Sequence, residues 1–193
     1  MTSIITPFAL DTNSYALLFG DQSNSACVRL KGKISCDDGL SFYLPEIVAM
    51  EIHSVIGKYR RGGATQRHEP CIRQVVSTNG TDVCKNVCFT AARKRMPSKV
   101  FKALQKLMDD IENARGNIRA TMLPLSNAEI LEGKRLLARY ADQHSFGSND
   151  ALVAGTILAA STAGINLTLV TSDRGLKAVS GRVGINLYDP LFE

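Results

Sequence analysis

The pattern of apolar and polar positions predicts alternating strands and helices. The clearest unit runs from Ser148 to Leu176. Ser148 and Asn149 are N-cap types ahead of an apolar run. Ala151, Ala154, Ile157, Leu158 and Ala159 supply a helical apolar surface, and Gly164 stands where a C′ glycine ends a helix. Residues 165–171 alternate around Ile165, Leu167 and Leu169, with Val170 adding apolar content, as in a strand buried on both faces. Asp150 falls in the first turn of the helix and Asp173 in the loop past the strand.

The rest of the chain repeats this alternation. Residues 7–10 read as a first strand, followed by Asp11 and the cap types Thr12, Asn13 and Ser14 of a helix. Pro45 suits a first helical position, and a helix is expected from Pro45 to about Tyr59. At roughly 100° per residue, Ile47, Val48, Ile52, Val55 and Tyr59 share one face. Glu51 lies at the edge of that face, whereas Glu46 and His53 point away from it. Pro97 precedes an amphipathic helix whose stripe of Val100, Phe101, Leu104, Leu107, Met108 and Ile111 reads as core. Residues 118–123 read as a strand. Ser126 and Glu129 match a capping box that opens a helix to about Ala141. Residues 184–188 read as an edge strand closed by Asp189-Pro190. Such alternation predicts a parallel sheet with helices on both faces.

Two stretches read as insertions in a single domain spanning 1–193. In 21–39, residues 27–30 and 34–36 are expected to form a small hairpin about Lys31-Gly32-Lys33. The stretch 60–97 carries Gly62-Gly63, Asn79-Gly80 and basic clusters, with packed pieces expected at Val75-Val76 and 83–89.

Composition adds three constraints. No run of about 18 apolar residues exists, so no membrane span is expected. The start MTSIITPFALDTN lacks the basic, apolar make-up of a signal peptide, so a cytoplasmic location is expected. Cys27, Cys36, Cys71, Cys84 and Cys88 lack C-x-x-C spacing and read as reduced thiols rather than a zinc site, for which His68 and Cys71 would have to join Cys84 and Cys88.

Charge is uneven. The net charge is +5, but Lys58 to Lys106 holds twelve Lys and Arg against two acids, Glu69 and Asp82. The remainder holds eleven basic and sixteen acidic residues. A basic middle beside an acidic rest suggests a polyanion partner next to a cation-binding site.

Four acids stand out: Asp11, Glu51, Asp150 and Asp173. Two end strands, one edges the buried face of a helix, and one begins a helix. Clustered carboxylates repel unless protons or cations stand between them. All-oxygen ligation selects Mg²⁺ or Mn²⁺ over zinc. Such a site suits in-line displacement at a phosphodiester. His144, in the loop before the helix at 148, is a weaker candidate for substrate contact.

These residues resemble the PIN-domain nucleases. The resemblance lies in Leu10-Asp11-Thr12-Asn13, in the helix from Pro45 to Glu51, in the run from Asn149 to Ala154, and in the run from Leu169 to Arg174. It covers the chain from about residue 8 to 190. It implies a three-layer α/β/α sandwich with a central, mostly parallel sheet, and a metal-dependent endoribonuclease using Mg²⁺ or Mn²⁺. The family's acidic metal ligands fall on Asp11, Glu51, Asp150 and Asp173, with Thr171 and Asn13 at supporting positions. Arg60, Arg61, Arg93, Lys94 and Arg95 then become candidate contacts to RNA, single-stranded or structured. Within the family the chain is most similar to toxins of VapC-type toxin–antitoxin pairs, from which its two insertions depart. An antitoxin protein and a second copy of the chain are the other partner candidates.

Other classes fit less well. A haloacid-dehalogenase-type phosphatase wants a second aspartate where Asn13 stands, and a dinucleotide-binding fold wants a glycine fingerprint after strand one. The rival of a different class is a catalytically idle RNA-binding or scaffold module. Four carboxylates in order weigh against it.

Overall fold

The computed structural model describes residues 7–19, 23–36, 39–68, 74–77, 80–83, 88–93 and 95–192, with backbone alone between 63 and 93. The chain divides into two compact units. One comprises Met1–His53 with Gln105–Glu193, the other Ser54–Leu104.

The larger unit is α/β. Its strands are β1 (Phe8–Leu10), β2 (Ser35–Cys36), β3 (Gly39–Pro45), then β8 (Ile118–Leu123), β9 (Thr168–Val170) and β10 (Asn186–Tyr188). They form one mixed sheet in the order β10-β9-β1-β3, with β8 along β3. All these pairings are parallel except that of the short β2, which runs antiparallel to the start of β3. The order reverses at β1. From β1 the chain moves outward through β3 to β8, then returns to the opposite side of β1 for β9 and β10. This arrangement is compatible with helices layered on both faces.

Helices α1 (Thr12–Phe19) and α2 (Ser25–Ile34) connect β1 to β2. Helix α3 (Glu46–Arg61) leaves β3 and continues into the smaller unit, which also holds the antiparallel pairs β4 (Gly63–His68) with β7 (Cys88–Arg93) and β5 (Gln74–Ser77) with β6 (Gly80–Val83). Helix α4 (Ser98–Glu112) leads back to β8. Then α5 (Asn127–Tyr140) and α6 (Ser148–Thr162) precede β9, and α7 (Arg174–Arg182) joins β9 to β10. Among the described residues, no helix is long and apolar enough to cross a membrane.

Core side chains come from both strands and helices. Leu10, Phe42, Leu44 and Leu169 are shut from solvent together with Leu18, Leu30, Val48, Ile111 and Ile157. Each contributes roughly 1.5–3 kcal/mol by burial. Helices α5 and α6 meet backbone to backbone. A Cβ on Gly155 would come within 2.6 Å of the Glu129 carbonyl oxygen, so glycine there permits the approach. The Ser126–Glu129 capping box opens α5 as the sequence indicates.

Several elements differ from expectation. Residues 25–34 form helix α2, not a hairpin. Asn24 accepts the Ala26 N–H at 2.9 Å as its N-cap, and Ala26, Cys27, Leu30 and Ile34 give one buried helical face that outweighs the turn character of Gly32. Pro45 is the last residue of β3 rather than the first of α3. The face of α3 that is buried centres on Val48, Ile52 and Ile56, and Tyr59 is exposed. On α4 only Met108 and Ile111 are buried, and Val100 is 46% exposed, so its stripe is core only toward its end. Ile165 is exposed as well, because β9 begins only at Thr168. Of the cysteines, Cys27 is a buried thiol that donates to the Leu18 carbonyl and Cys36 a half-buried thiol, Cys88 is described by backbone, and Cys71 and Cys84 lie outside the described residues.

Candidate functional site

The reversal of strand order brings two acids together. In parallel α/β sheets such a switch opens a crevice beyond the carboxyl ends of the strands. Leu10 pairs with Val170 in the β1–β9 ladder, so Asp11 and Thr171 leave the sheet side by side. Asp11 is only 4% exposed and Thr171 fully buried. The Thr171 hydroxyl donates to Asp11 Oδ2 at 2.5 Å and accepts the Asp173 N–H at 3.1 Å. One hydroxyl thus fixes both acidic segments relative to each other.

Asp11 also begins α1. Its Oδ1 accepts the Ser14 N–H at 2.6 Å, and its carbonyl accepts the Tyr15 N–H. Ser14 in turn donates its hydroxyl to the Val170 carbonyl at 2.7 Å. Burial pushes the Asp11 carboxyl above its ordinary pKa. The bonds from Thr171 and Ser14 pull it down, and the charge of Asp173 adds to the rise.

Asp173 is the N-cap of α7 and accepts the Leu176 N–H at 2.8 Å through Oδ1. Gly175 allows this turn to sit against the Ser145 carbonyl, where a Cβ would collide. Asp150 is the third residue of α6 and reaches back to the Gly147 N–H at 2.9 Å. Its carboxyl is also raised, first by burial and further by the charges of Asp173 and Glu51. Glu51, on α3, accepts the Thr12 hydroxyl at 2.5 Å, which ties it to the residue after Asp11. The four acids from four separate elements therefore share one electrostatic field, linked through Asp11 with Asp173, Asp173 with Asp150, and Asp150 with Glu51.

The donor set is carboxylate and hydroxyl oxygen, which fits a hard divalent cation. Each carboxylate oxygen that accepts one hydrogen bond keeps a lone pair for a metal. Among the described residues, no three His, Cys, Asp or Glu side chains form a ready-made metal cage. Three of the four acids also serve helix N-termini, so each has a plain structural role beside any chemical one.

Two supporting residues were not singled out from the sequence. Thr12 and Ser14, which read there only as caps, hold Glu51 and Asp11 respectively. Asn13 is exposed. A third, Asp189, read as a terminating turn, is buried and accepts the Ser172 hydroxyl at 2.6 Å. His144 has its ring Nε2 shut from solvent without a hydrogen-bond partner. Glu46 is exposed and accepts the Leu125 N–H at 3.0 Å, and His53 pairs with Glu112 at 2.8 Å.

The basic candidates belong to the smaller unit. Arg60 donates to the Met96 carbonyl and the Ser98 hydroxyl, both at 2.8 Å, and lies over the Phe101 ring. Arg61 and Arg95 are exposed. Arg93 is described by its backbone alone, opposite Gly63 in the β4–β7 ladder, and Lys94 lies outside the described residues.

Comparison with protein-family models and with curated proteins gives no match.

Proposed function

We propose that this chain is a metal-dependent endoribonuclease of the PIN-domain type, an α/β/α sandwich that hydrolyses RNA phosphodiester bonds. The observation that supports this reading is the gathering of Asp11, Glu51, Asp150 and Asp173 into one negative field, with Asp11 and Asp173 at the carboxyl edge where strand order reverses.

Asp11, Glu51, Asp150 and Asp173 would hold Mg²⁺ or Mn²⁺. Bound there, such a cation would orient water and offset the charge that develops on the phosphodiester. Thr171 keeps Asp11 and Asp173 in register, and Thr12 keeps Glu51 turned toward β1. Arg61 and Arg95, with Arg93 and Lys94, supply cations for RNA phosphates. Arg60, already bonded to Met96 and Ser98, holds that segment in shape. In its narrower form the proposal is the toxin of a toxin–antitoxin pair, checked by co-expression with the adjacent reading frame.

The competing reading is an RNA-binding module without catalysis. The N-terminal helix roles of Asp11, Asp150 and Asp173 favour it. Incubation of an unstructured RNA with the purified chain, in Mn²⁺ or in chelator, separates the two. Internal cleavage that needs metal and disappears in Asp173→Asn supports the nuclease. RNA bound but left whole in every condition refutes it.

A further inference from the structure

Asp189 lies just past β10, on a different element from each of the four acids, yet its contacts converge on one of them, Asp173. Its Oδ1 accepts the Ser172 hydroxyl at 2.6 Å and the Leu191 N–H at 3.1 Å. Its Oδ2 accepts the ammonium of Lys177, with only 11% of the Asp189 side chain exposed. Ser172 precedes Asp173 by one residue, and Lys177 follows it by four. Asp189 therefore grips the chain on both sides of the Asp173 cap. The neighbouring Tyr188 carbonyl adds a third tie by accepting the Thr171 N–H at 3.1 Å. Asp189 is held in its turn. Arg29 of α2 donates twice to the Pro190 carbonyl, at 2.7 and 3.2 Å.

We infer that Asp189 is a positioning residue for the acidic site: through Ser172 it sets the turn that presents Asp173. A buried ion pair alone would explain the link to Lys177, since both groups lose water and need each other. It would not explain the bond to Ser172, a neutral hydroxyl that is half-buried and has solvent within reach. That bond acts on the backbone between the Thr171 hydroxyl and the Asp173 cap, where an ångström decides whether the carboxylates converge. Groups that orient ligating carboxylates in this way typically alter metal affinity about 10–100-fold when removed.

This inference rests on the proposed metal site for its consequence, but not for its geometry, and the experiment separates the two. Ser172→Ala, Asp189→Ala and Lys177→Met are compared in the full chain by amide hydrogen exchange and by calorimetric titration with Mn²⁺. Ser172→Ala and Asp189→Ala should each speed exchange of the Asp173 and Leu176 amides about tenfold or more and weaken Mn²⁺ binding about 10–100-fold. Their combination should be no worse than Asp189→Ala alone, because both remove the bond between Ser172 and Asp189. Lys177→Met should lower thermal stability while leaving the Asp173 amide and Mn²⁺ affinity close to wild type. Ser172→Ala is the deciding variant if Asp189→Ala does not fold. Unchanged exchange in Ser172→Ala overturns the inference, as does a Lys177→Met variant that matches it in both measurements. A wild-type chain that binds no Mn²⁺ instead overturns the metal site, and the exchange data alone then decide the role of Asp189.

Discussion

Replacing Thr171 with Val tests the heart of the site. The two side chains have nearly the same shape, so the change removes a hydroxyl and little else. That hydroxyl makes two bonds, one to the Asp11 carboxylate and one from the Asp173 N–H. A hydrogen bond to a charged group contributes about 1.5–3 kcal/mol, and an N–H left unpaired costs about 1–3 kcal/mol. Thr171 is fully buried, so water cannot take the hydroxyl's place. The added methyl returns less than about 1 kcal/mol. The net loss should be about 3 kcal/mol, or a fall in Tm of about 6–12 °C for a chain of this size.

The control is Thr171→Ser, which keeps the hydroxyl and loses one methyl, at about 1 kcal/mol. Melting both variants in chelator isolates the bridge from any metal effect. A second consequence is electrostatic. The Thr171 bond draws the Asp11 pKa down against burial, so its loss lets that pKa climb further. Metal-dependent cleavage by the valine variant should then begin at higher pH than in wild type. If Thr171→Val melts no lower than Thr171→Ser, the hydroxyl does not join the two acids and the geometry argued above is wrong.

Four further outcomes are expected. Asp11→Asn should abolish cleavage yet melt higher than wild type in chelator at neutral pH: a carboxyl raised above 3.8 by burial loses stability as pH climbs through its folded pKa, and the amide has no such loss. Glu46→Gln should change stability by less than about 0.5 kcal/mol and leave cleavage alone, whereas Glu51→Gln should lose most activity; equal effects would misplace the face of α3. Burial alone would raise the Asp189 pKa, but the Lys177, Ser172 and Leu191 bonds outweigh it and hold it low; wild type should therefore carry stability above pH 3.8 that falls away as acid reaches the folded pKa, and Asp189→Asn should show none of that acid-side loss in a pH series of melts. Replacing Arg93, Lys94 and Arg95 with Ala should weaken RNA binding similarly across sequences and flatten log K against log salt by up to about 2, and an unchanged slope would give that segment another job.

Much of the frame was legible because apolar periodicity survives burial. The strands at 8–10, 118–123 and 186–188 and the helices at 127–140 and 148–162 follow from local pattern and caps. Helix α7 did not, since Asp173 reads as part of the loop past the strand. The signal was present: Asp173 with Leu176 three residues on is an N-cap followed by an apolar anchor, obscured by Gly175 and Gly181. The α2 hairpin failed for the same reason, with Gly32 weighted above the buried face of Cys27, Leu30 and Ile34. At the site, the four acids could be read from position along their elements. Among their linkers, Thr171 is indicated only by the family resemblance and the others not at all, because the bonds Thr12–Glu51, Thr171–Asp11 and Ser172–Asp189 span 39, 160 and 17 residues. Local pattern carries no information about such separations.

Helix capping and charge make opposite demands on these acids. An N-cap contributes about 1 kcal/mol, and Asn or Ser supplies it as well as Asp. The helix dipole adds about 0.3–1 kcal/mol for a negative charge, and only within the first turn. Against these gains, burial and the charge of Asp173 both disfavour the ionised form of Asp11, and burial with the charges of Asp173 and Glu51 does the same at Asp150. Asn at position 11 would keep the bond from Ser14 without the repulsion. Glu51 caps nothing, lies mid-helix, and still faces the same field. Capping alone therefore does not account for carboxylates at these positions, and a cation shared among them would turn their mutual repulsion into attraction. This yields a measurable contrast with ordinary caps. Adding Mn²⁺ should raise the Tm of the wild-type chain by an amount that grows with concentration, and Asp11→Asn should blunt that rise. Glu129→Gln, in the capping box of α5 away from these acids, should lower Tm slightly and leave the Mn²⁺ response intact. A wild-type Tm indifferent to Mn²⁺ would return all three N-terminal acids to the service of their helices.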